Sequence, residues 1–404
     1  MKNQNLFTQN SIKKKYLKKE TLKKISKNFD KVFKNFENEI NNVKKTQNIL
    51  SKYYRYNINF KDLNKFKNYQ KIVLIGMGGS ILGSEAIKNF LQKKIKKKVY
   101  FFNNLDLGNI LKFKKKENLN KILFLVISKS GNTIETLSNL FSLNIIKKNS
   151  KNVIIISQKN TTLYSLAKKY NLFFIEHKES VGGRYSVLSE VGLVPAYLMG
   201  INPVVLRSKI RRFLKGKEKS FLKESVVKLA TLIKNKSINS LIFLNYCPEL
   251  EKFVFWVQQL IAESLGKKGK GYLPMLSNAP KDHHSLLQLY LDGQKDKLFI
   301  FLSFQDKTKH KIKIKKFIDK KHFLEGKNIN TVKNAQKNAL IKVFKKNKIP
   351  FRDLRIKRIN EQVLGELFSY FIIETIIIGK LANINPFDQP AVEKVKVYTK
   401  KLLI

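Results

Sequence analysis

The fold of this chain is decided by residues 71–94, which read KIVLIGMGGSILGSEAIKNFLQKK. The apolar run Lys71–Ile75 predicts a buried strand, and the apolar periodicity of Ile81–Lys94 predicts an amphipathic helix. The glycine-rich turn between them lets a backbone approach an anion at the start of a helix. Continuous apolar strands that alternate with helices are typical of a parallel sheet covered on both faces.

The same alternation extends through the rest of the chain. In the first half, five runs are predicted as strands: Lys71–Ile75, Val99–Asn103, Ile122–Ser128, Val153–Ser157 and Leu172–Glu176. A second series of predicted strands comprises Leu241–Tyr246, Gly271–Leu276, Leu298–Phe304 and Pro350–Ile356. Helical patterns separate or follow them, among them Ile134–Lys148, Glu251–Leu265 and Glu361–Leu381. We therefore expect an α/β protein with two doubly wound, flavodoxin-like parallel sheets, each forming an α-β-α sandwich.

Four ranges are predicted to divide the chain. They are a helical N-terminal arm at 1–50, a first α/β domain at 51–202, a second at 203–382 and a C-terminal segment at 383–404. Within the arm, Met1–Glu20 is expected to form an amphipathic surface helix, because Lys alternates there with isolated apolar residues. The Lys-rich stretch Asp306–Lys321 is expected to be an exposed strand or loop. No low-complexity linker separates the two α/β domains, so we expect them to pack together.

The charge of the chain is strongly positive. It has 81 Lys and Arg residues against 29 Asp and Glu, a formal net charge of +52. Nucleic-acid binding would use such charge through counterion release. The lysines are spread over every segment rather than gathered on one stripe with aromatic residues. We therefore favour a solvated lysine surface over a nucleic-acid face, and the positive field would still attract an anionic substrate.

Cysteine usage and hydropathy bear on the compartment. Cys247 is the only cysteine, which excludes an internal disulfide framework and a cysteine-rich metal site. The first twenty residues lack the apolar core of a secretory signal. The run Leu364–Gly379 is interrupted by Glu366 and Glu374 and is too short to span a bilayer, so it predicts a buried helix. We expect a cytoplasmic protein without a membrane partner.

Two loops are predicted to bind phosphate. The glycine cluster at residues 76–80 is by itself weak evidence for a phosphate site. Ile81 stands where a dinucleotide-binding turn has its third glycine, and the Lys-Ser/Thr pair that ends a Walker loop is absent. The second loop, Ser128–Thr133, ends another predicted strand and places three hydroxyl side chains within six residues, before a predicted helix. Hydroxyls and backbone N–H groups gathered at a helix N-terminus favour a phosphate ligand over an ordinary capping turn.

Proton-transfer groups occur in later segments. Arg184 lies between a glycine pair and an apolar run; it fits either a structural salt bridge or a cation that stabilises the oxygens of an enediolate. Gln259 and Glu263 are spaced i and i+4, so they share one helix face, where Glu263 could be a general base, although a surface glutamate is commoner. Asp282–Ser285 contains two adjacent histidines, which suit a proton shuttle better than a metal site.

In their order along the chain, these segments resemble the glucose-6-phosphate isomerase family, in its shorter bacterial form with sugar-isomerase (SIS) phosphosugar-binding domains. The matching motifs are Gly-x-Gly-Gly-Ser-x-Leu-Gly at 76–83, Ser-Lys-Ser-Gly-Asn-Thr at 128–133, Gly-Gly-Arg-x-Ser at 182–186, Gln-x-x-x-Glu-Ser-x-Gly-Lys at 259–267, Asp-x-His-Ser at 282–285 and Phe-Asp-Gln-Pro-x-Val-Glu-x-x-Lys at 387–396.

The resemblance implies roles for individual residues. It implies that the phosphate is held by Gly79, Ser80, Ser128, Lys129, Ser130 and Thr133, and the sugar by Gly78, Gln259 and Gln389. It implies that Glu263 carries a proton between C1 and C2, that Arg184 stabilises the negative charge, and that His284 and Lys396 assist ring opening. It further implies a homodimer in which His284 reaches the neighbouring site, and no metal or organic cofactor.

Several points stay open at this stage. The family usually has Gly-Thr where this chain has Pro280-Lys281, Ala391 replaces a common glycine, and His283 competes with His284 as the acting histidine. We select His284 because Ser285 follows it. The family predicts interconversion of glucose 6-phosphate and fructose 6-phosphate. The alternatives are a dual phosphoglucose/phosphomannose isomerase and, from another class, a non-catalytic phosphosugar-binding regulator, which would need only the two loops.

Overall fold

Two five-stranded sheets organise the protein in a computed structural model, which describes residues 6–304, 311–313 and 322–404. The strands within these residues are β1 (Leu6–Ser11), β2 (Lys71–Gly76), β3 (Lys98–Phe102), β4 (Ile122–Ser128), β5 (Val153–Ser157), β6 (Phe173–Glu176), β7 (Ser240–Asn245), β8 (Leu273–Asn278), β9 (Lys297–Phe304) and β10 (Phe351–Ile356). Each strand predicted from an apolar run is present, with bounds shifted by two residues at most.

The first sheet is entirely parallel and has the order β3-β2-β4-β5-β6. The chain winds outward in one direction from β2 to β3 and in the other from β4 to β6. The order therefore reverses between β2 and β4, as in flavodoxin-like sheets, where ligands bind beside the carboxyl ends of the strands. This topology confirms the predicted doubly wound α/β class.

The second sheet repeats this winding in the order β1-β10-β9-β7-β8. Strands β7 to β10 are parallel, and the reversal falls between β7 and β9. The remaining edge is occupied by β1, which pairs antiparallel with β10. A strand from the start of the chain thus covers the edge that β10 would otherwise expose.

The N-terminal residues depart from the prediction. The amphipathic helix expected over Met1–Glu20 is wrong for Leu6–Ser11, which forms β1. The side chain of Asn10 ties this strand to the core: its Nδ2 donates to Ser225 Oγ at 3.1 Å, and its Oδ1 accepts from Arg352 Nε at 3.1 Å. Local periodicity cannot reveal a strand partner that lies at the other end of the chain, so tertiary pairing overrides the helical pattern here.

The helices of the described residues are α1 (Lys19–Ile40), α2 (Leu82–Phe90), α3 (Leu107–Lys116), α4 (Ile134–Leu143), α5 (Thr162–Lys169), α6 (Glu190–Leu198), α7 (Pro203–Arg207), α8 (Gly216–Asn235), α9 (Glu251–Leu265), α10 (His283–Asp292), α11 (Ile329–Lys346), α12 (Glu361–Leu381) and α13 (Glu393–Leu402). The predicted bounds of α9 and α12 agree with the structure. Helix α4 ends five residues before the predicted Lys148, because Asn144 adopts a left-handed conformation with φ of 52°.

Helix α12 forms the centre of the protein. Among the described residues it is the one helix long and apolar enough to cross a membrane by length and composition, and 94% of its apolar window is buried inside the protein. Its two interior carboxylates are paired: Glu366 with Arg212 at 3.1 Å and Glu374 with Arg352 at 2.7 Å. The prediction of a buried core helix is therefore confirmed.

The two lobes share one hydrophobic core. Buried side chains of α1, α2, α6, α8, α9 and α12 belong to one continuous cluster, and α2 packs directly against α9. The division at residues 50, 202 and 382 stays a prediction. The expected strand or loop at Asp306–Lys321 lies almost wholly outside the described residues; its part at 311–313 has no regular structure.

Candidate active site

Two loops meet at the switch point of the first sheet. Gly76, the last residue of β2, approaches the neighbouring strand so closely that a Cβ there would lie 2.8 Å from the carbonyl oxygen of Ile127. The loop after β2 then forms a 3-10 turn over Gly78–Ser80, in which Gly78 has φ of +50°. This conformation favours glycine. Because β2 and β4 are adjacent parallel strands, the loop lies at the same edge of the sheet as Ser128–Thr133.

Gly79 joins this loop to the segment that carries Arg184. A Cβ on Gly79 would lie 2.2 Å from the carbonyl carbon of Gly183 and 2.6 Å from the Arg184 nitrogen, so no larger residue fits. The Ser186 hydroxyl also donates to the Gly79 carbonyl oxygen at 3.3 Å. The 3-10 turn Gly183–Leu188 is thereby fixed against the end of β2.

The second loop gathers hydroxyl groups at the start of α4. Thr133 Oγ1 lies 2.9 Å from Ser128 Oγ and 3.4 Å from Ser130 Oγ. Thr133 is the N-cap residue of α4, yet its side chain does not cap the helix. The first amides of a helix have no partner within the helix, and the helix dipole adds positive potential there. The loop therefore presents hydroxyls and free amides together, as an anion site requires.

Lys129 connects this loop to the rest of the site. Its Nζ donates to the Glu179 carbonyl oxygen at 2.8 Å. Burial lowers the pKa of Lys129; the Glu179 carboxylate opposes this change, and the positive charge of Arg184 lowers the pKa further. Arg184 is thus close enough to lower the pKa of Lys129, and the second loop adjoins the cationic centre of the site.

Arg184 is the centre of the arrangement, although its side chain is only 3% exposed. Its five hydrogen bonds run from Nε to Ser264 Oγ at 2.8 Å, from Nη1 to Glu263 Oε2 at 3.1 Å and Gln389 Oε1 at 2.8 Å, and from Nη2 to the carbonyl oxygens of Pro386 at 2.6 Å and Asp388 at 3.1 Å. The guanidinium therefore joins three segments that are remote in sequence. A buried charge needs hydrogen-bond partners of this kind to offset the loss of water.

Glu263 and Gln259 project from the same face of α9, as their spacing predicts. Gln259 Nε2 donates to Glu263 Oε1 at 2.8 Å, while Arg184 holds the other carboxylate oxygen. The Glu263 side chain is still 35% exposed, so the carboxylate is fixed but accessible. Gln259 Oε1 is buried and accepts no hydrogen bond from the described residues. It is available to a ligand's hydroxyl group.

Gly78 completes this side of the site. A Cβ on Gly78 would lie 2.7 Å from Gln259 Nε2. The first loop thus packs against the amide that orients Glu263. An accessible carboxylate beside a fixed cation can move a proton on a carbon and stabilise the negative oxygens that result.

The site is also supported by four residues that the sequence interpretation did not select: Tyr185, Ser264, Lys267 and Asp388. Tyr185 donates to the Pro386 carbonyl oxygen at 2.8 Å and lies 2.8 Å from Ser264 Oγ. Lys267 Nζ pairs with Asp388 Oδ1 at 2.8 Å, and this hydrogen bond lowers the pKa of the Asp388 carboxyl. Each of these residues stands inside one of the matched motifs, which is the signal that could have identified them.

His284 is not brought to Arg184 within the chain. It lies exposed on the first turn of α10, and its imidazole makes no hydrogen bond or ion pair with another described residue. His283 Nε2 instead lies 2.8 Å from Tyr246 Oη. His283 is thus committed to the packing of its own lobe, which favours His284 as the available histidine. Across residues 6–304, 311–313 and 322–404, no three His, Cys or acidic side chains cluster as metal ligands.

Lys396 is also outside the Arg184 cluster. It lies on α13, where its Nζ pairs with Glu393 Oε1 at 2.7 Å and its side chain is 64% exposed. All side chains of this helix are exposed, including Val395, Tyr398 and Leu402. The structure therefore places most of the predicted residues on the two loops, the Arg184 turn and α9, and Gln389 is hydrogen-bonded to Arg184. His284 and Lys396 lie on the surface.

Comparisons of sequence agree on one family. A family model described as "Phosphoglucose isomerase" matches residues 27–403. The chain is 35% identical over 375 residues to a probable glucose-6-phosphate isomerase of Methanococcus maripaludis, covering 87% of this chain and 81% of that protein. It is 34% identical over 353 residues to the glucose-6-phosphate isomerase of Methanocaldococcus jannaschii, covering 83% and 86%.

Solved structures show the same fold. A hypothetical protein from Thermus thermophilus superimposes with a TM-score of 0.82 at 23% identity, over 98% of this chain and 100% of that one. A glucose-6-phosphate isomerase from Chlamydia trachomatis gives a TM-score of 0.70 at 20% identity, over 84% and 71%. At these identities the likeness supports the fold alone.

Proposed function

The chain belongs to the phosphoglucose isomerase family, and we propose that it interconverts D-glucose 6-phosphate and D-fructose 6-phosphate through a cis-enediol, in glycolysis and gluconeogenesis. One observation carries the proposal: the accessible Glu263 carboxylate is fixed between Arg184 and Gln259, and the charge of Arg184 reaches Lys129 of a hydroxyl-rich loop at a helix N-terminus. An aldose–ketose isomerase needs one base that reaches two adjacent carbons, a cation for the enediolate oxygens and a phosphate anchor.

The phosphate is proposed to lie at the start of α4. Ser128, Ser130 and Thr133 supply neutral donors there, and the first amides of the helix add more. Gly79, Ser80 and Lys129 border the same space in our proposal. Burial lowers the pKa of Lys129, and the charge of Arg184 lowers it further.

The proton transfer is proposed to use Glu263 alone. Its carboxylate removes the proton from C2 of the open-chain aldose, the hydroxyl proton passes from O2 to O1 of the enediolate, and the carboxylic acid then returns its proton to C1. Arg184 stabilises the negative charge on the enediolate oxygens. The electrostatic attraction of a buried guanidinium is strong because water is excluded around it. Gly78, Gln259 and Gln389 orient the sugar, and Gln259 Oε1 is a free acceptor for one of its hydroxyls. No cofactor takes part in this sequence of steps.

Ring opening is proposed to use His284 and Lys396, in a homodimer. His284 has no contact with its own Arg184 cluster, so we assign it to the site of the neighbouring subunit. The exposed apolar side chains of α13, among them Tyr398 at 63% and Leu402 at 87% exposure, favour an interface near Lys396. We further propose that the enzyme works in the cytoplasm.

The activity is tested by supplying fructose 6-phosphate to the purified protein and following glucose 6-phosphate with a coupled dehydrogenase. Sustained turnover is expected. Mannose 6-phosphate, tested in a parallel reaction, decides whether the protein is a dual isomerase. A protein that binds fructose 6-phosphate without converting it is instead a phosphosugar-binding regulator.

The shared site is tested by mixing two inactive variants, Glu263→Gln and His284→Ala, and allowing their subunits to re-pair. If each site takes its histidine from the partner, a mixed dimer contains one intact site. About a quarter of the native activity should then return after random re-pairing. If both residues act within one subunit, both sites of the mixed dimer are defective and no activity returns.

A further inference from the structure

A large cleft lies apart from the candidate active site. It is bordered by residues 51–60, by Lys67, and by the segment from the end of α6 to Arg211, and its volume is about 710 Å³. This volume is typical of pockets that hold a small organic ligand. None of the residues assigned above to the phosphate, the sugar or the proton transfer lines this cleft.

Aromatic rings form one wall of the cleft. Tyr54, Tyr56, Phe60 and Tyr197 follow one another edge to face, with ring centroids 5.2 Å apart at each step. Tyr56, Phe60 and Tyr197 are only half-buried, although a ring on the surface of a protein normally gains from being covered. Rings of this kind are suited to stacking on a planar ligand.

The other lining side chains make the cleft positive. Lys52, Lys67, Arg207 and Arg211 border it, and no Asp or Glu is among its described lining residues. Lys67 Nζ lies 4.3 Å from the centroid of the Tyr197 ring, so the positive charge adjoins the aromatic wall. The cleft therefore matches a ligand that combines an anionic group with a flat ring.

Arg207 forms no ion pair with a carboxylate of the described residues, although the charge of Glu190 acts on it. Its Nη1 donates to the Leu188 carbonyl oxygen at 2.7 Å and its Nη2 to the Ser51 carbonyl oxygen at 2.9 Å, so its hydrogen-bond acceptors are neutral. The nearby Glu190 carboxylate is occupied by the Tyr54 hydroxyl at 2.9 Å and by the Asn57 amide at 2.7 Å. A fixed guanidinium without a direct carboxylate partner favours an incoming anion.

We propose that this cleft binds a nucleoside phosphate, with the base packed against the aromatic wall of Tyr56, Phe60 and Tyr197 and the phosphate among the four cations. Inorganic phosphate would leave the aromatic wall unused, and an uncharged nucleoside would leave the cations unused. The cleft is therefore a second ligand site with its own chemistry. The inference is independent of the activity proposed for the Arg184 cluster.

Binding is tested by calorimetric titration of the full chain with AMP, with fructose 6-phosphate present in excess so that the active site is filled. Saturable binding with a dissociation constant below ~1 mM is expected. Adenosine alone and inorganic phosphate alone should each bind at least ~10-fold more weakly, because each lacks one half of the recognition.

Variants separate the cleft from the general surface charge. Lys67→Gln and Arg211→Gln should each weaken AMP binding by ~5-fold or more, whereas Lys112→Gln on the exposed face of α3 removes the same charge elsewhere and should change nothing. Tyr197→Leu should weaken binding similarly, and Tyr197→Phe, which keeps the ring, should retain it. The charged side chains are partly or fully exposed, so the substitutions leave the fold intact.

Four results would overturn the proposal. The first is no saturable AMP binding up to several times ~1 mM. The second is saturable AMP binding that appears only in a parallel titration without fructose 6-phosphate, because the AMP would then occupy the active site. The third is equal weakening by Lys112→Gln and the cleft variants, which would indicate diffuse attraction. The fourth is a change in the oligomeric mass of the cleft variants, measured by sedimentation, without a change in AMP affinity. The cleft would then be an interface with a second copy of the chain.

Discussion

Arg184 Nη1 lies 3.1 Å from Glu263 Oε2, although 79 residues separate the two positions in the chain. The contact joins a turn that follows the first sheet to a helix of the second lobe. It places a buried cation beside an accessible carboxylate, and the proposed chemistry depends on this relationship more than on any other in the protein.

Arg184→Lys should lower both turnover and stability. Lysine cannot reproduce five hydrogen bonds from a planar fork, so the carbonyl oxygens of Pro386 and Asp388 would lose their donor. Urea unfolding should show a loss of about 1–3 kcal/mol. Arg358→Lys, at an exposed arginine, is the control and should leave both quantities unchanged. Native-like stability in Arg184→Lys would show that the hydrogen bonds of the guanidinium do not stabilise the fold.

Gly79→Ala should displace the Arg184 turn. The added Cβ would lie 2.2 Å from the Gly183 carbonyl carbon, so backbone must move. A shift of this kind in a catalytic geometry should reduce kcat/KM by roughly 10²-fold. Gly108→Ala in α3, where the nearest atom to the new Cβ is a side-chain oxygen at 3.4 Å, is the matched control. Equal activity in the two variants would show that the turn tolerates the displacement.

Thr133→Val should weaken phosphate binding selectively. The substitution keeps the shape of the side chain but removes the hydroxyl that lies 2.9 Å from Ser128 Oγ. The KM for fructose 6-phosphate should rise roughly tenfold, while kcat changes little. Thr21→Val, at a threonine of α1 remote from the site, provides the comparison. A fall in kcat with an unchanged KM would place Thr133 in the chemical step instead.

His177 should make stability depend on pH. It lies at the end of β6, only 2% exposed, and burial lowers its pKa from 6.5 to about 4, with the charge of Lys129 adding to this effect. The unfolded chain therefore binds the proton more tightly, and the stabilisation is complete above pH 6.5 and lost as the pH falls toward 4.

The corresponding measurement is urea unfolding of the native protein and of His177→Gln. Between about pH 7 and about pH 5, the native protein should lose about 2 kcal/mol more than the variant. Parallel pH dependences in the two proteins would show that His177 does not titrate differently on folding.

The sequence predicted those parts of the fold that depend on local pattern. Continuous apolar runs located β2 and β4, and glycine and hydroxyl clusters located the loops that follow them. Strand β1 was missed because its partner β10 lies at the other end of the chain and leaves no local signal. Pairing of this kind is decided by tertiary structure rather than by propensity.

The site was predictable only in part, for a similar reason. Glu263 and Gln259 share a helix face, which spacing alone shows. The anchoring of Arg184 to the Pro386 carbonyl uses a backbone acceptor, and every residue type carries one, so no sequence pattern announces it. For His284 and Lys396, residue type and motif suggested a role in ring opening. In our proposal, the contacts that this role requires are made with a second subunit.

The central claim is that the carboxylate fixed beside Arg184 performs the proton transfer. It is tested most directly by measuring the isomerisation of fructose 6-phosphate by the native protein, by Glu263→Gln and by the control Glu20→Gln, which changes an exposed glutamate of α1. We predict that Glu263→Gln loses at least ~10²-fold in kcat, about 2.7 kcal/mol of barrier, while Glu20→Gln retains native turnover. Native turnover in Glu263→Gln would contradict the account.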